Sequence, residues 1–533
     1  MERRNFVQSA VATASLAALP SLARGAPSMN PARWDFVIVG AGTAGLPAAI
    51  FASRRGARVL LLDAAEDIGG TLHLAFGQIA AGGSKLQAAK GIVDSPDRHF
   101  AEVMRLSEGL ADRGIVRRTV DAAPEMIDWL LDRGLVPLAD HPVTGDAVGR
   151  KAYEVPRYLW AQDAGRAILA VLRRELAPEV ASGRVTIRLG TRVTSLVVDA
   201  AGAVHGVRAQ VDGRELEFHG RHVLITTGGY AMNPQRFQQL VGVPPYAGTS
   251  YPFQQGDGLD LAISVGGYLR GQELHRPGSG SILTSDRFPA KIYARFNTTP
   301  QLRPPWELWI NDAGQRFIRE DEPLVNLREQ ALLKQPAFRY RVVFDQAILD
   351  AAPPGIADWT REQLLAHFDT HAMFTRAESL EQLAAKTGID AAGLAATVRA
   401  YNDAVRRRGG DPLGREHLPL PVAKGPFYAI TLLGHSATSS TGVVVDAQMR
   451  VLRGDGQPVP NLYAAGEVAC VSVHGAGSFQ HLVSTRFNAV YQQTKAGDIV
   501  SDLIGKLGLS QGTVETGPAV RPESLSPLRR RCR

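Results

Sequence analysis

The sequence predicts an α/β fold in which one domain is interrupted by the insertion of a second. Residues Asp35–Asp63 have the pattern of a strand, a glycine-rich turn, a helix and another strand. Two further strand patterns, His222–Tyr230 and Asn461–Glu467, both run into glycines although they lie far apart in the chain. Between them, residues 272–426 carry helical patterns of their own. We therefore expect a discontinuous Rossmann-type domain with an inserted α+β domain.

The first strand and its turn have the features of a dinucleotide site. The apolar run Phe36–Val39 is typical of a buried parallel strand. It leads into a G-x-G-x-x-G turn made by Gly40, Gly42 and Gly45. Glycine is needed there because a Cβ would keep the backbone from a pyrophosphate and the helix from the strand. The helix that follows points its first amide groups at the phosphates.

The second strand, Arg58–Leu62, ends in Asp63, whose carboxylate is expected to bind ribose hydroxyls. Strand, turn, helix, strand and acid all occur at the expected spacing, so the pattern is more specific than a lone glycine motif. It is compatible with FAD or with a nicotinamide dinucleotide. Other segments have to distinguish these cofactors.

The remaining patterns predict the domain organisation. We expect residues 31–271 and 427–507 to form the two parts of the interrupted domain, with residues 272–426 as the insertion. The insertion contains the helical stretches Thr360–Phe368 and Leu380–Arg408. Residues 508–533 are polar and rich in proline, which predicts a disordered tail.

The amino-terminal segment Met1–Ala26 resembles a twin-arginine export signal. It has the pair Arg3 and Arg4, then a mildly apolar run and small residues. The run is too short and too rich in alanine to span a bilayer, so we expect no stable membrane insertion. The segment predicts a periplasmic or secreted protein that is exported folded, with its cofactor bound. The alternative is a cytosolic protein with a basic start.

Composition restricts the classes of function. A chain of 533 residues with 45% hydrophobic residues has enough core for about two domains. The formal charge of +7 comes with no aromatic-interleaved basic stripe, so nucleic-acid binding is not expected. Cys470 and Cys532 are too few for a disulfide framework or an iron–sulfur cluster. Because no C-x-x-C-H motif occurs, electrons are expected to move through a separate partner or directly to a small acceptor.

Six segments, in the same order, resemble the superfamily of FAD-dependent fumarate reductases and 3-ketosteroid dehydrogenases. They are GGTLHLAFGQIAAGG (Gly69–Gly83), DSPDRHFAEVM (Asp94–Met104), VLITTGGYAMN (Val223–Asn233), QGDGLDLAISVGG (Gln255–Gly267), WINDAGQRFIRED (Trp309–Asp321) and NLYAAGEVA (Asn461–Ala469). The resemblance covers nearly the whole chain from Trp34 to Leu503. It implies bound FAD and an inserted capping domain, with the substrate held between the cap and the isoalloxazine ring.

The resemblance also implies which residues hold FAD. The ADP half would lie against Gly40, Gly42, Ala44, Gly45 and Asp63; the pyrophosphate and ribityl side against Gly69, Gly70 and Thr71; and the ribityl chain against Gly228, Gly466 and Glu467. Ser484 and Thr485 would open a helix whose positive end faces the flavin pyrimidine carbonyl, although they are equally compatible with ordinary helix caps.

Flavin attachment is expected to be non-covalent. In relatives with a histidyl–flavin bond, the linking histidine aligns with Thr71. His73 lies two residues away from that position and is therefore out of register. No metal site is expected.

The proton-transfer residue of the superfamily is missing from its aligned position. In relatives an arginine or a tyrosine follows the glutamate of the motif Gly314–Glu320 by four residues, and here that residue is Leu324. A leucine cannot donate or accept a proton. The candidates that remain are nearby polar residues of the cap and flavin boundary: Glu322, Arg328, Tyr251 and Arg295.

Three histidines are candidate catalytic residues by resemblance. His474 aligns with the substrate-facing histidine of the reductases and with a ketone-binding tyrosine of the steroid enzymes, where an imidazole can polarise a carbonyl. His275 and His435 lie near two other substrate-binding positions. Each is also compatible with a packed core histidine.

The substrate-binding groups expected from the resemblance differ from those of the fumarate reductases. Ser478 lies in the region where those enzymes carry a carboxylate-binding arginine, so a dicarboxylate substrate is not expected. Aromatic residues near the cap favour a bulky, apolar substrate: Tyr293, Phe296, Trp306 and Trp309.

Together these features predict an exported FAD-dependent oxidoreductase. It would transfer a hydride between flavin N5 and a carbon α or β to a carbonyl, either by dehydrogenating a cyclic, 3-ketosteroid-like ketone or by reducing an enone. One alternative is a periplasmic fumarate-reductase-like reductase of an unsaturated acid. The other is a non-catalytic flavoprotein that carries electrons. The expected partners are a small ketone, enone or unsaturated acid and a separate electron donor or acceptor.

Overall fold

The computed structural model describes residues 34–107, 111–145, 153–243, 245–272, 275, 277–368, 370–435 and 439–469. Its strands are β1 (Trp34–Val39), β2 (Val59–Leu62), β3 (Ile79–Ala80), β4 (Tyr158–Leu159), β5 (Val185–Arg188), β6 (Arg192–Val198), β7 (Val204–Val211), β8 (Arg214–Ile225), β9 (Leu269–Arg270), β10 (Ser281–Leu283), β11 (Ile292–Arg295), β12 (Leu308–Ile310), β13 (Arg339–Asp345), β14 (Phe374–Ala377), β15 (Phe427–Leu433), β16 (Gly442–Val443), β17 (Arg450–Leu452) and β18 (Pro458–Ala464). Its helices are α1 (Gly45–Arg54), α2 (Lys85–Ala89), α3 (Pro96–Leu106), α4 (Arg113–Asp132), α5 (Ala164–Ala181), α6 (Pro234–Val241), α7 (Asp257–Ile263), α8 (Val325–Leu333), α9 (Gln346–Ala351), α10 (Arg361–His367), α11 (Leu380–Thr387) and α12 (Ala391–Arg407).

The largest sheet has the strand order β17-β18-β8-β1-β2-β5. Strands β18, β8, β1, β2 and β5 pair in parallel, and β17 adds an antiparallel edge. Alternate residues of β1 belong to different apolar cores: Val37 to one and Ile38 to the other. Such burial on both faces explains why the central strands are apolar runs instead of alternating patterns.

Strands from distant parts of the chain meet in this sheet. Leu462 of β18 lies opposite Val223 of β8, and β8 in turn pairs with β1. The two glycine-ended strand patterns of the sequence are therefore neighbours. The predicted α/β fold with a discontinuous Rossmann-type domain is confirmed.

The inserted part of the chain has its own sheet and core. Its four antiparallel strands have the order β12-β13-β15-β14, and a separate apolar cluster includes Leu308, Tyr340 and Leu394. Strand β15 pairs with β13 and β14, so the insertion extends through Leu433 and not only to residue 426. Beyond it, β9 and β16 pair with each other and bring the two ends of the insertion together.

The signal segment 1–26 and the tail 508–533 lie outside the described residues, so their predictions stay as predictions. In the part of the chain that the structure describes, no helix combines the length and the apolar character needed to cross a bilayer. The same residues contain no cluster of three or more His, Cys, Asp or Glu side chains arranged to hold a metal ion.

Candidate active site

A cavity of about 580 Å³ lies between the carboxyl ends of the parallel strands and the inserted domain. Gly40, Asp63 and Thr226, which follow β1, β2 and β8, line one end of it. Phe296 and Arg328 of the insertion line the other end. The carboxyl edge of a parallel sheet is the usual ligand site of doubly wound folds, and the volume suits a cofactor together with a small substrate.

The glycine turn after β1 is held by very close backbone contacts. Gly40 has a φ of 111°, and its carbonyl oxygen accepts a hydrogen bond of 2.7 Å from the hydroxyl of Thr226. A Cβ on Gly45 would lie 1.8 Å from that same carbonyl oxygen. Helix α1 can therefore approach β1 only with glycine at this position.

Asp63 joins the turn to the end of β2. One carboxylate oxygen accepts a hydrogen bond of 2.6 Å from the amide of Ala41, and the other accepts one of 2.8 Å from Ala65. Burial raises the pKa of Asp63, and its effect exceeds the opposite effect of these two amides. The carboxylate thus lines the cavity where the ribose was expected, and that assignment remains a prediction.

Residues Gly69–Thr71 lie against the first turn. The amide of Gly69 donates to the carbonyl of Ala41 at 2.8 Å. Gly70 has a φ of 51° and faces Gly42, so that an added Cβ would come within 3.2 Å of the Gly42 Cα. Thr71 is the next residue and also lines the cavity.

Gln254 connects two of the predicted cofactor segments, and sequence reasoning missed it. Its side-chain amide donates to Glu467 Oε2 at 2.8 Å and to the Thr71 hydroxyl at 3.2 Å. The other oxygen of Glu467 accepts from the amide of Ser439 at 2.6 Å. Nothing local in the segment around Gln254 predicts this role, because its partners come from distant parts of the chain.

At the opposite end of the cavity, the lining is polar and charged. It includes Arg295, Arg328, Glu329 and His435. The Nδ1 atom of His435 lies 2.7 Å from the hydroxyl of Ser281, which is the cross-strand partner of Arg295 in the β10–β11 hairpin. The cavity therefore combines a glycine-lined end, suited to a dinucleotide, with an end lined by arginine, glutamate and histidine side chains.

A family model described as an FAD binding domain matches residues 35–478 of the chain. The chain belongs to this FAD-binding family. It is an FAD-dependent oxidoreductase that acts on CH–CH groups. The cofactor and the superfamily predicted from the sequence are thereby confirmed.

Two curated relatives and one solved structure illustrate the similarity. The fumarate reductase (cytochrome) of Shewanella frigidimarina is 27% identical over 452 residues, covering 83% of this chain and 73% of the relative. The vinyl phenol reductase of Lactiplantibacillus plantarum is 28% identical over 464 residues, covering 82% and 90%. The 3-ketosteroid delta1-dehydrogenase from Sterolibacterium denitrificans superposes with a TM-score of 0.65 at 18% identity, covering 88% of this chain and 100% of the other. At that identity, the superposition establishes the fold alone.

Buried polar atoms of this flavoprotein fit FAD. Among the described residues, Thr227 Oγ1, Thr249 Oγ1 and Gln254 Oε1 have no hydrogen-bond partner although they are buried, and all three residues line the cavity. A ligand with hydroxyl, phosphate and ring groups would satisfy such atoms, which are otherwise costly to bury. The residues at this end therefore suit the cofactor.

His73 does not line the cavity in which the flavin is expected to bind. Its Nε2 donates to the carbonyl of Ile68 at 3.0 Å, and the residue does not line the cavity, whereas Thr71 does. This placement is compatible with the non-covalent binding that we predicted.

The predicted catalytic histidines have different surroundings. His435 lines the cavity of the flavoprotein, but His275 is buried and packs its ring on Phe237 and Phe338, with centroids 5.3 and 5.6 Å away. A packing role for His275 agrees with this position. His474, and with it Ser484 and Thr485, lies outside the described residues, so these assignments stay as predictions.

The candidate proton-transfer residues also differ in their burial and in the end of the cavity that they line. Leu324 is 54% exposed and precedes the first residue of α8, and Arg328 follows it by about one helical turn. Arg328 is buried and lines the cavity, and it donates to the backbone carbonyl of Glu322. Tyr251 also lines the cavity. Burial, and to a smaller extent the charges of Asp63 and Asp67, raises the pKa of its phenol, so Tyr251 belongs to the cofactor end.

Of the four aromatic residues that favoured a bulky apolar substrate, only Phe296 lines the cavity. Trp309 is buried in the inserted domain against Tyr340, with ring centroids 5.6 Å apart. Tyr293 bonds to His367 instead, its hydroxyl 2.7 Å from Nε2. The described lining of the cavity gives little support to a large apolar substrate.

Proposed function

We propose that this flavoprotein reduces a carbon–carbon double bond conjugated with a carbonyl or carboxyl group, and that Arg328 supplies the proton. The observation that carries the proposal is the position of Arg328. It lies one turn beyond Leu324 in α8, is buried and lines the cavity beside the equally buried Glu329. The proton-transfer function absent from the aligned position is thus available from the next turn of the same helix.

The chemistry of arginine favours reduction over dehydrogenation. A guanidinium group stays protonated at neutral pH, so it suits the delivery of a proton to carbon better than its removal. The bond from Arg328 to the Glu322 carbonyl limits the positions that the guanidinium can adopt. Two of the relatives are named as reductases of fumarate and of a vinyl phenol, which supports the same direction.

When bound, FAD supplies the hydride at N5. The chain itself holds and orients the cofactor. We propose that Gly40, Gly42 and the start of α1 contact the pyrophosphate, that Asp63 binds the ribose, and that Gln254 and Glu467 fix the ribityl chain. We further propose that His435, whose ring contacts the hydroxyl of Ser281, hydrogen-bonds the carbonyl oxygen of the substrate as charge develops on it.

The test is anaerobic reoxidation of the chemically reduced holoprotein. We expect cyclohex-2-enone or cinnamate to restore the visible band of oxidised flavin. The Arg328→Gln variant should react about 10²- to 10⁴-fold more slowly, which is the usual contribution of general acid catalysis. Leu324→Ala is the matched control, because Leu324 is exposed and does not line the cavity, and its rate should stay within about twofold of the original.

Other outcomes would assign a different function. If a saturated cyclic ketone bleaches the oxidised band and no unsaturated compound reoxidises the reduced protein, the enzyme is a dehydrogenase. If neither class of compound reacts, the proposed reduction is refuted and the electron-carrier alternative is favoured. Equal rates for Arg328→Gln and Leu324→Ala, at equal flavin content, would exclude Arg328 as the proton donor.

We also propose that the protein is exported through the twin-arginine route and receives electrons from a separate donor. The basis is the segment 1–26, with Arg3 and Arg4, and the lack of cysteine motifs for haem or iron–sulfur centres in the sequence. Replacing both arginines with lysine should leave the protein in the cytoplasm. Cell fractionation with an antibody to the mature chain measures this directly, and unchanged export would refute the signal assignment.

A further inference from the structure

We propose that the hydroxyls of Ser279 and Thr298 form an uncharged hydrogen-bonding subsite on the cap side of the cavity, and that this subsite binds a hydroxyl group of the substrate. The inference rests on the proposed function and specifies its substrate class. The substrate is then an unsaturated carbonyl or carboxyl compound with an aromatic body that carries a hydroxyl group away from the reacting double bond.

The two hydroxyls form a pair on the wall of the cavity. Ser279 and Thr298 both line it, and both are half-buried. The Oγ atom of Ser279 lies 3.1 Å from the Oγ1 atom of Thr298, and either can be the donor. Within the described part of the chain, neither hydroxyl has another hydrogen-bond partner. The pair is therefore open to a ligand in the cavity.

The hydrogen-bonding capacity of the pair matches that of a ligand hydroxyl. Each hydroxyl has one proton to donate and two lone pairs that accept. The bond between the two hydroxyls uses one proton, whichever of them is the donor, so the other proton and several lone pairs remain. A ligand hydroxyl both donates and accepts and can use both. A carboxylate only accepts and an ammonium group only donates, so each would leave part of this capacity unused.

A glycine between the two segments brings the hydroxyls together. Gly280 follows Ser279 and has a φ of 83°. A Cβ at this position would lie 2.5 Å from the Phe296 carbonyl oxygen and 3.3 Å from Thr298 Oγ1. The Phe296 amide donates to the Gly280 carbonyl at 2.8 Å, and the Gly280 amide donates to the hydroxyl of the buried Tyr340 at 3.3 Å. The segments can approach this closely only with glycine at position 280.

The chain on the Thr298 side is anchored as well. The Asn297 amide donates to the Gly355 carbonyl at 2.7 Å. The side-chain oxygen of Asn297 accepts from the Thr299 amide at 3.0 Å. These bonds fix the residues on both sides of Thr298. A wall that is already ordered loses little conformational entropy when it binds a ligand.

An aromatic surface lies beside the pair. The ring of Phe296, two residues before Thr298, lines the same cavity. It is held from two sides: the Arg303 guanidinium lies 5.6 Å from its centroid, and a Cβ on Gly355 would be 2.2 Å from the ring. Because aromatic rings pack favourably against one another, this fixed ring favours an aromatic body for the substrate.

The pair is also close to His435, which we propose as the partner of the substrate carbonyl. The Gly278 amide donates to the His435 carbonyl at 2.8 Å, and the Ser281 hydroxyl lies 2.7 Å from the His435 ring nitrogen Nδ1. Ser279 lies between these two residues in the chain, so its Cα is within about 7 Å of that of Ser281. A single hydroxyphenyl compound of modest size can therefore reach both groups.

The experiment compares the binding of saturated acids to the oxidised holoprotein, where no reduction can follow. The ligands are 3-phenylpropionate, its 4-methylphenyl analogue, and its 3-hydroxyphenyl and 4-hydroxyphenyl analogues, and isothermal titration calorimetry gives each Kd. The methyl compound has about the size of a hydroxyl compound but offers no hydrogen bond there. We expect the better of the two hydroxylated acids to bind about 3- to 10-fold more tightly than the methyl compound, which corresponds to one hydrogen bond between uncharged groups.

Three variants make the result specific. Ser279→Ala combined with Thr298→Val removes both hydroxyls and should abolish the preference, while the Kd of the methyl compound stays within about twofold. A merely structural effect would weaken all four ligands equally. Thr298→Ser keeps the hydroxyl and should preserve the preference. Thr370→Val is the matched control, because Thr370 is an exposed residue of the inserted domain that bonds to the Ala366 carbonyl and does not line the cavity.

The proposal is overturned if neither hydroxylated acid binds more tightly than the methyl compound, or if the double variant keeps the preference at normal flavin content. Its failure is distinguishable from that of the proposed function. Reduction of cinnamate without any preference for a hydroxyl group would leave the function standing without this subsite. A preference that the double variant loses, without reduction of any unsaturated compound, would leave the subsite standing without the function.

Discussion

Two glycines of the turn after β1 should respond to alanine in different ways, because they face different neighbours. A Cβ on Gly45 would lie 1.8 Å from the Gly40 carbonyl oxygen and 2.9 Å from the Thr226 hydroxyl. A Cβ on Gly42 would meet nothing closer than the Gly70 Cα, at 3.9 Å, which is an ordinary van der Waals distance. The fold itself therefore requires glycine at position 45, whereas position 42 requires it only for the approach of FAD.

The expected magnitudes follow from these distances. To reach even 3.0 Å, the backbone around Gly45→Ala must separate by about 1.2 Å from the 1.8 Å contact, and overpacking of this kind costs about 1–3 kcal/mol. In a domain of this size, that cost lowers Tm by several degrees, at about 2–4 °C per kcal/mol. Gly42→Ala should change the stability of the apoprotein by less than about 1 kcal/mol. It should nevertheless weaken FAD binding at least about tenfold, because the backbone must pass close to the pyrophosphate.

The assay uses apoprotein and two readouts. Thermal unfolding followed by circular dichroism gives Tm, and quenching of FAD fluorescence on titration gives Kd. The reasoning is refuted if Gly42→Ala binds FAD as tightly as the unmodified protein, since nothing else in the described structure restricts that position. An unchanged apoprotein Tm for Gly45→Ala would equally refute the packing argument.

Three other substitutions test other parts of the structure. Gln254→Ala should weaken FAD binding about tenfold and change apoprotein stability much less, because its unpaired Oε1 is available to the cofactor; an unchanged Kd would contradict this. Burial raises the pKa of Asp63. The free energy of unfolding of the apoprotein should therefore fall as pH rises above about 4, the ordinary carboxyl pKa. Asp63→Asn should reduce this dependence on pH, which urea titrations at several pH values measure. Arg157→Met should lower the free energy of unfolding by about 3–5 kcal/mol, because it leaves the buried carboxylates of Asp94 and Glu102 without their cation. A loss below about 1 kcal/mol would show that other groups already compensate these two charges.

The cofactor half of the site could be predicted because its information is local. The glycines, the strand before them and Asp63 lie within thirty residues, and their spacing alone places them at one edge of a sheet. The structure confirms the βαβ unit and the pairing of β1 with β2. The meeting of β8 and β18 was predictable as well, since two strands that end in glycine fit the same sheet edge.

The catalytic half was less predictable, because it depends on the rotation and burial of side chains. The sequence left Arg328 as one of several candidates. Only the direction of α8 distinguishes this buried residue from the exposed Leu324 one turn earlier. His275 has the residue type of a catalytic group, but its ring is packed between two phenylalanines.

The sequence by itself determined a dinucleotide-binding βαβ unit, because that unit follows from residue types at short, fixed spacings, and its resemblance to a known superfamily indicated FAD as the dinucleotide. The tertiary structure alone decided three features: β15 belongs to the inserted sheet, Gln254 joins Thr71 to Glu467, and Arg295 stands opposite Ser281. The physical reason is that these contacts join residues far apart in the chain. Strand order, register and helix rotation bring them together, and no local spacing encodes those.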